Sequence, residues 1–178
     1  MAILGAAVAV FILSSILHMV FKYHHSDFRP LPSEGSSIEK LRSMDLTPGL
    51  YHFPYCADHK RMAEPEMKEK LAKGPDGMMI VVPNGPPAMG KLLGLWFAFT
   101  VLVSIFAAYV TGRIFPAGAD PMEVFRFAGT VAFLAYGVGL LSNSIWKGIP
   151  WKATLKEAFD GLLYAFATGG VFAWLWPH

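Results

Sequence analysis

The sequence predicts an all-α membrane protein: a four-transmembrane-helix bundle with a small α+β extramembrane loop domain between helices one and two. Three observations predict it. Four apolar stretches, Ala2–Phe21, Leu92–Phe115, Val124–Ile145 and Leu155–Trp176, punctuate the chain. Each is close to the ~20 helical residues, at ~1.5 Å apiece, that cross a hydrocarbon core about 30 Å thick. One hydrophilic segment, Lys22–Lys91, separates the first stretch from the other three. Finally, Trp146, Trp151, Trp174 and Trp176 fall near the expected helix ends, where amphipathic aromatics settle at a membrane interface.

Composition narrows the class. Of 178 residues, 54% are hydrophobic, and the formal charge of +2 is too small to suggest a nucleic-acid partner. The single cysteine, Cys56, excludes an intrachain disulfide and any multi-cysteine zinc or iron–sulfur site. The organisation reads as transmembrane helix 1 over 1–22, a hydrophilic domain over 23–91, and a three-helix region over 92–178 with spans at about 92–115, 122–146 and 153–176.

Span one has no Lys or Arg before it and no small-x-small cleavage site before Lys22, so it reads as a retained anchor rather than a signal peptide. Residues 26–50 are rich in Pro, Ser and Gly, with a short helix expected at Ile38–Met44, capped by Ser36 or Ser37. Leu50–Tyr55 reads as a strand that ends near Pro54. Glu64–Lys73 reads as a charged helix, with Pro65 in its first turn and Gly74 at its stop. Gly77–Val82 reads as a second strand, and Pro83-Asn84-Gly85-Pro86-Pro87 as a rigid turn. A lone strand pair is marginal in water, and a segment of about 70 residues is near the lower limit for an independent fold, so this domain is expected to lean on the bundle or a partner.

Span two begins after Gly90-Lys91, with Trp96 near its entry, and ends at Arg113. The short linker Pro116–Pro121 makes spans two and three antiparallel neighbours, with Glu123 and Arg126 pairing near the start of span three. Gly148-Ile149-Pro150 then turns the chain into span four. Lys22, Lys91, Lys147 and Lys152 gather on the side of the large loop, which by the positive-inside rule favours a cytoplasmic loop. Paired spans that keep both termini inside would argue the reverse.

Two small-residue stripes stand out. Span four carries Gly161, Ala165, Gly169 and Ala173 at four-residue spacing, and span two carries Ser104, Ala108 and Gly112. Small side chains let helix backbones approach closely where lipid removes the hydrophobic drive. The stripes serve contacts within the bundle, homo-oligomerisation, or docking on a larger assembly.

The residues that could carry chemistry lie mostly on span four. Lys156, Asp160, Tyr164 and Thr168 form a polar stripe at four-residue spacing. With a helix start near Ala153, Asp160 sits about 10 Å in by the helical rise. A carboxylate at that depth is costly unless paired or hydrated, which marks it as a functional candidate. His18 near the end of span one, and Asn143 beside Ser142 near the end of span three, lie on the same side. His18, Asn143, Lys156 and Asp160 are therefore expected to converge in a polar pocket that handles a ligand or protons. The plainer alternative is structural: Lys156 and Asp160 form an i,i+4 pair that satisfies itself.

The hydrophilic segment offers His52, Cys56, Asp58, His59 and Met62. His52, Cys56 and His59 are donors of the kind that hold zinc or copper, but His-x3-Cys-x2-His matches no strong template. No cofactor is expected. His18 or the His24-His25 pair is the only candidate for haem, and no span carries two inward histidines as a di-haem site would need. There is no Gly-rich phosphate loop, no His-Glu-x-x-His and no Gly-x-Ser-x-Gly. With no inverted repeat and no pair of helices broken in mid-span, a secondary transporter is disfavoured.

Several segments of the second half carry a resemblance. These are Pro86-Pro87-Ala88-Met89-Gly90-Lys91 leading to Trp96-Phe97, Phe106–Arg113, Val124–Thr130, Ser144-Ile145-Trp146, Phe159–Ala165 and the closing Trp174-Leu175-Trp176-Pro177. With the Gly74–Gly77 turn, they resemble a group of small bacterial four-helix inner-membrane proteins without assigned activity. The resemblance covers about two-thirds of the chain, implies a bacterial inner-membrane location, and carries over no functional residues.

The expected function is non-catalytic: an accessory or scaffold subunit of a larger respiratory or photosynthetic membrane complex, with lipids and other membrane subunits as partners. A small-molecule, lipid or proton-handling protein built on the Asp160–His18 pocket is the second reading, and a metal-binding loop the third.

Overall fold

The computed structural model describes residues 1–177, the His59 side chain excepted. In chain order the regular elements are α1 (Ala2–Met19), α2 (Glu34–Ser43), β1 (Gly49–Phe53), α3 (Pro65–Lys73), β2 (Gly77–Val81), α4 (Met89–Ile114), α5 (Pro121–Tyr136), α6 (Leu141–Lys147) and α7 (Trp151–Leu175). Three 3₁₀ turns join them, at Lys22–Asp27, His59–Ala63 and Val138–Leu140. The chain divides into two compact units: Met1–Phe28 with the chain from Ala88 onward, and Arg29–Pro87. The hydrophilic domain is thus shorter than the 23–91 expected, because Lys22–Asp27 folds with the helices.

Four helical stretches are long and apolar enough to span a membrane: α1, α4, Pro121–Lys147 and α7. Their outward faces agree with a lipid surround. On α1 the exposed row is Leu4, Val8, Ile12 and Ile16, while Ala6, Ala7, Val10, Ser14 and Leu17 are buried on the other side. In water such a continuous apolar face would be an aggregation liability.

Helix α7 is the centre of the bundle, packed on α5 and on α1, with α4 against α1 and α5. Its glycines set how close α5 comes. A Cβ built on Gly161 would lie 2.6 Å from the Tyr136 carbonyl, and one on Gly169 would lie 2.6 Å from the Phe125 carbonyl oxygen. Gly161, Ala165 and Gly169 therefore serve the α5–α7 seam inside the bundle. The stripe expected on α4 is corrected. Ser104 is fully buried, but Ala108 is half-buried and Gly112 exposed, and the inward row is Thr100, Ser104, Ala107 and Thr111. That inward row steps by four, three and four residues, which keeps it on one face of a 3.6-residue helix.

Span three is not the single helix expected over 122–146. It stops at Tyr136, passes through the 3₁₀ turn Val138–Leu140 and restarts as α6. Gly137 and Gly139 weaken the helix there, and the Tyr136–Gly137 backbone lies against Gly161 of α7. Irregular backbone at membrane depth is tolerated where protein covers it. At the start of this span, Asp120 caps α5 by accepting from the Met122 and Glu123 amides, and Arg126 pairs with Glu123 at 2.9 Å as its spacing implied.

In the second unit, β1 and β2 pair antiparallel, with Gly49 opposite Val81 and Phe53 opposite Gly77. Helix α3 lies in their connection, begins with Pro65 and stops at Gly74, whose φ of +59° suits glycine. Helix α2 starts at Glu34, four residues before the expected Ile38. Neither Ser36 nor Ser37 caps it; their hydroxyls donate to the Ser33 and Pro32 carbonyls.

Candidate functional site

The most charged group in the bundle is built at the end where α1 finishes and α7 begins. Asp160 lies on the buried face of α7, about 13 Å along the helix from Trp151 by its rise, and is only 2% exposed. It is buried because the chain does not leave the bundle at Met19. The 3₁₀ turn Lys22–Asp27 folds back over α7 and brings Tyr23, His24 and Asp27 with it.

Each polar atom then finds a partner. The Tyr23 hydroxyl donates to Asp160 Oδ1. His24 Nε2 lies 2.8 Å from Asp160 Oδ2, and His24 Nδ1 lies 2.9 Å from Asp27 Oδ2. Lys156 Nζ donates to Asp27 Oδ1 at 2.6 Å, to the Tyr23 carbonyl at 2.7 Å and to Ser26 Oγ at 2.7 Å. The expected Lys156–Asp160 pair is therefore corrected. The lysine holds the turn through Asp27, and the aspartate is held by the turn through Tyr23 and His24.

The electrostatics follow from His24. A neutral imidazole has one donor and one acceptor nitrogen, and an ionised carboxylate only accepts. Carboxylates at both nitrogens thus call for a cation on the ring. Burial opposes the charged form, but the hydrogen bonds to Asp160 and Asp27 outweigh it and raise His24 above the ordinary histidine range. The Lys156 hydrogen bond holds Asp27 below the usual carboxylate range against a smaller effect of burial, with His24 adding to it. Burial, with the Asp160 carboxylate, pushes the Tyr23 phenol well up, so it stays a donor. His24 and Lys156 then balance Asp27 and Asp160.

His18, on the last turn of α1, completes the cluster. Its ring stacks on that of His24 at 4.8 Å between centroids and 13° between planes. Its Nδ1 contacts the Ser14 carbonyl oxygen at 3.1 Å, and its Nε2 stands 3.9 Å from Asp160 Oδ2. Its side chain is 53% exposed, which gives the cluster an open side. One turn deeper on α7 is Tyr164, with Tyr136 of α5 beside it at 5.6 Å between ring centroids. Both residues are 4% exposed, and among the described residues neither hydroxyl has a hydrogen-bond partner. Trp96 packs on both rings and donates its indole N–H to Ser14 Oγ at 2.8 Å.

Of the residues expected in the pocket, His18, Lys156 and Asp160 come together and Tyr164 lies below them. Asn143 does not join. It sits on α6, where its backbone carbonyl caps the helix end, and its neighbour Ser144 is the residue that meets α7, donating to Thr154 Oγ1 at 2.7 Å. Tyr23, Ser26 and Asp27 were missed, and His24, noted only with His25, was not expected to meet Asp160. The His24-x-x-Asp27 spacing, one helical turn apart just beyond a span, was the available signal.

The donors of the second unit do not gather. His52 Nδ1 contacts the Pro54 carbonyl oxygen at 3.1 Å, and Cys56 donates to the Asp58 carbonyl at 3.1 Å. The His59 side chain lies outside the described residues. Among the described residues, the histidine, cysteine and carboxylate donors that come within a few ångströms as a group of three are His18, His24 and Asp160.

Comparison with known proteins finds no matching family model, no matching curated protein and no matching solved structure.

Proposed function

We propose that the protein is a small-ligand or proton-handling integral membrane protein whose working part is the cluster around Asp160. One observation carries this reading: a carboxylate deep in a span is covered by a turn that supplies a histidine whose two ring nitrogens face two carboxylates. A polar group of this kind in a span is a functional site by default. The stacked, half-exposed His18 supplies an exchange route to the surface. The two buried phenols below Asp160 supply polar groups without protein partners, which a bundle built for stability alone would avoid. We place the protein in a bacterial inner membrane, as the resemblance of its second half implies.

The accessory-subunit reading ranks second. It drew on the small-residue stripes as docking faces, and on α7 those residues are engaged with α5.

The test is genetic. The Asp160→Asn chain, near in shape and lacking the charge, replaces the natural gene in the source organism. Cells are competed against wild type and a deletion across a panel of pH and metal-ion conditions. The expected result is that Asp160→Asn behaves as the deletion while its level in the membrane matches wild type. Full complementation would overturn the reading.

A further inference from the structure

We propose that His18, His24 and Asp160 bind one divalent transition-metal ion of the zinc class, with a coordination position left open toward the solvent. This rests on the reading that the cluster is the working part of the molecule, and it names the ligand of that site.

The first argument is convergence. One ligand atom from each of the three residues lies within 4.8 Å of the other two. Zinc bonds to imidazole nitrogen and carboxylate oxygen are about 2.0–2.2 Å, which puts tetrahedral ligand atoms roughly 3.3 Å apart. The two distances to Asp160 Oδ2, 2.8 Å from His24 Nε2 and 3.9 Å from His18 Nε2, bracket that value. A shift of the half-exposed His18 ring out of its stack on His24, with Nδ1 kept on the Ser14 carbonyl, closes the remaining gap.

The second argument is the outer shell. A metal-ligating histidine nearly always gives its other ring N–H to a carbonyl or carboxylate, which fixes the tautomer and aims the free nitrogen at the ion. Both histidines are held in this way. His18 Nδ1 faces the Ser14 carbonyl, and His24 Nδ1 faces Asp27, which Lys156 anchors in turn. The third ligand has its own support, since Tyr23 occupies Asp160 Oδ1 and leaves Oδ2 for the ion.

The third argument separates a site from structural glue. His18 Nε2 stands 3.9 Å from the same carboxylate oxygen, too far for a hydrogen bond. As glue this contact does little; as one edge of a coordination shell it needs the His18 ring to leave its near-parallel stack on His24. The ion takes the place of the proton between His24 Nε2 and Asp160 Oδ2, which adds one positive charge to the cluster, and an anion such as hydroxide at the open position would offset it. Two imidazoles and one carboxylate suit zinc, and with open positions also ferrous iron. Magnesium and calcium prefer all-oxygen shells.

The experiment uses the full chain without a polyhistidine tag, purified in detergent and stripped with a chelator. Co²⁺ is added as a spectroscopic probe and Zn²⁺ as its competitor. The expected result is one equivalent of Co²⁺ with visible absorption of a low-coordinate site, displaced by Zn²⁺. His18→Gln leaves the buried contacts of the turn in place, so it tests ligation without unfolding the cluster. It and Asp160→Asn should each weaken Zn²⁺ binding at least ~100-fold, and Tyr23→Phe by about 10-fold, as loss of an outer-shell partner does. His52→Ala with Cys56→Ser should change nothing. Absence of stoichiometric binding by wild type, or binding unchanged in both His18→Gln and Asp160→Asn, would overturn the proposal. If no metal binds while Asp160→Asn still behaves as the deletion, the cluster keeps its functional role with the proton as its cation. If metal binds but Asp160→Asn complements fully, the site stands and the functional reading falls.

Discussion

Two regions of this chain carry histidine together with other metal-ligating or acidic side chains, and they use them in opposite ways. At the end of α1 and the start of α7, residues more than 130 positions apart meet in one hydrogen-bonded group. Around β1, His52 and Cys56 bond carbonyls two residues away. The difference lies in what surrounds them. A carboxylate inside a span has no water to turn to, so its neighbours must supply every partner. An exposed side chain beside a short strand has water on every side, and a local carbonyl suffices.

That contrast can be broken at its base. Gly161→Val would force the α5 and α7 backbones apart beneath Asp160, where even a methyl group meets the Tyr136 carbonyl at 2.6 Å. Backbone cannot yield as a side-chain tip does, so a loss of about 3 kcal/mol or more is expected, at the upper end for overpacking. Unfolding of the detergent-solubilised protein would read it, and a melting curve matching wild type would refute the close seam.

Asp160→Ala should come next. It removes the one group that Tyr23 and His24 share and leaves both facing an apolar gap, at a cost of order 3 kcal/mol for breaking a buried ion pair. Asp160→Asn, which keeps the volume and one acceptor, should cost clearly less in the same denaturation assay. Equal losses would mean that shape rather than charge is what the cluster needs.

Lys156→Met sharpens the comparison without touching Asp160. Its ammonium holds three acceptors of the Lys22–Asp27 turn, so hydrogen exchange at residues 22–27 should accelerate about tenfold or more, following the weakened local fold. The β1 and β2 amides should exchange at wild-type rates. Unchanged protection at 22–27 would show that Tyr23 and His24 suffice to hold the turn.

The smallest effect is expected in the second unit. His52→Ala and Cys56→Ser each remove a single exposed or half-exposed contact and should shift stability by no more than about 0.5 kcal/mol. A larger loss in chemical unfolding would mean that these donors take part in something beyond their local carbonyls.

How much of this could be read from the residues varies by element. The apolar runs of α1, α4 and α7 showed their helices because length and hydropathy alone decide whether a segment can cross a membrane. The Pro65 start and Gly74 stop bounded α3 because both act through local backbone geometry. Asp160 stood out because an acid within an apolar run is conspicuous. Its partners did not, since nothing local says that Lys22–Asp27 folds back instead of continuing away from the bundle. The Lys156–Asp160 expectation failed for that reason: helical spacing permits the pair, and a better-placed carboxylate and phenol displaced it. Asn143 was misplaced because it was read on one continuous helix, whereas the break at Gly137–Leu140 puts it on a separate one.

By itself, then, the sequence determined that four helices are apolar enough to span a membrane, and that Asp160 needed a partner. These follow from hydropathy, spacing and the cost of burying charge, which depend on neighbours along the chain. Only the tertiary structure decided that Tyr23 and His24 are the partners, that the Nε2 atoms of His18 and His24 lie near the same Asp160 oxygen, and that the α7 glycines are engaged with α5. Those depend on where a turn lands and how closely two backbones pack, and such long-range placement is set by the packed whole.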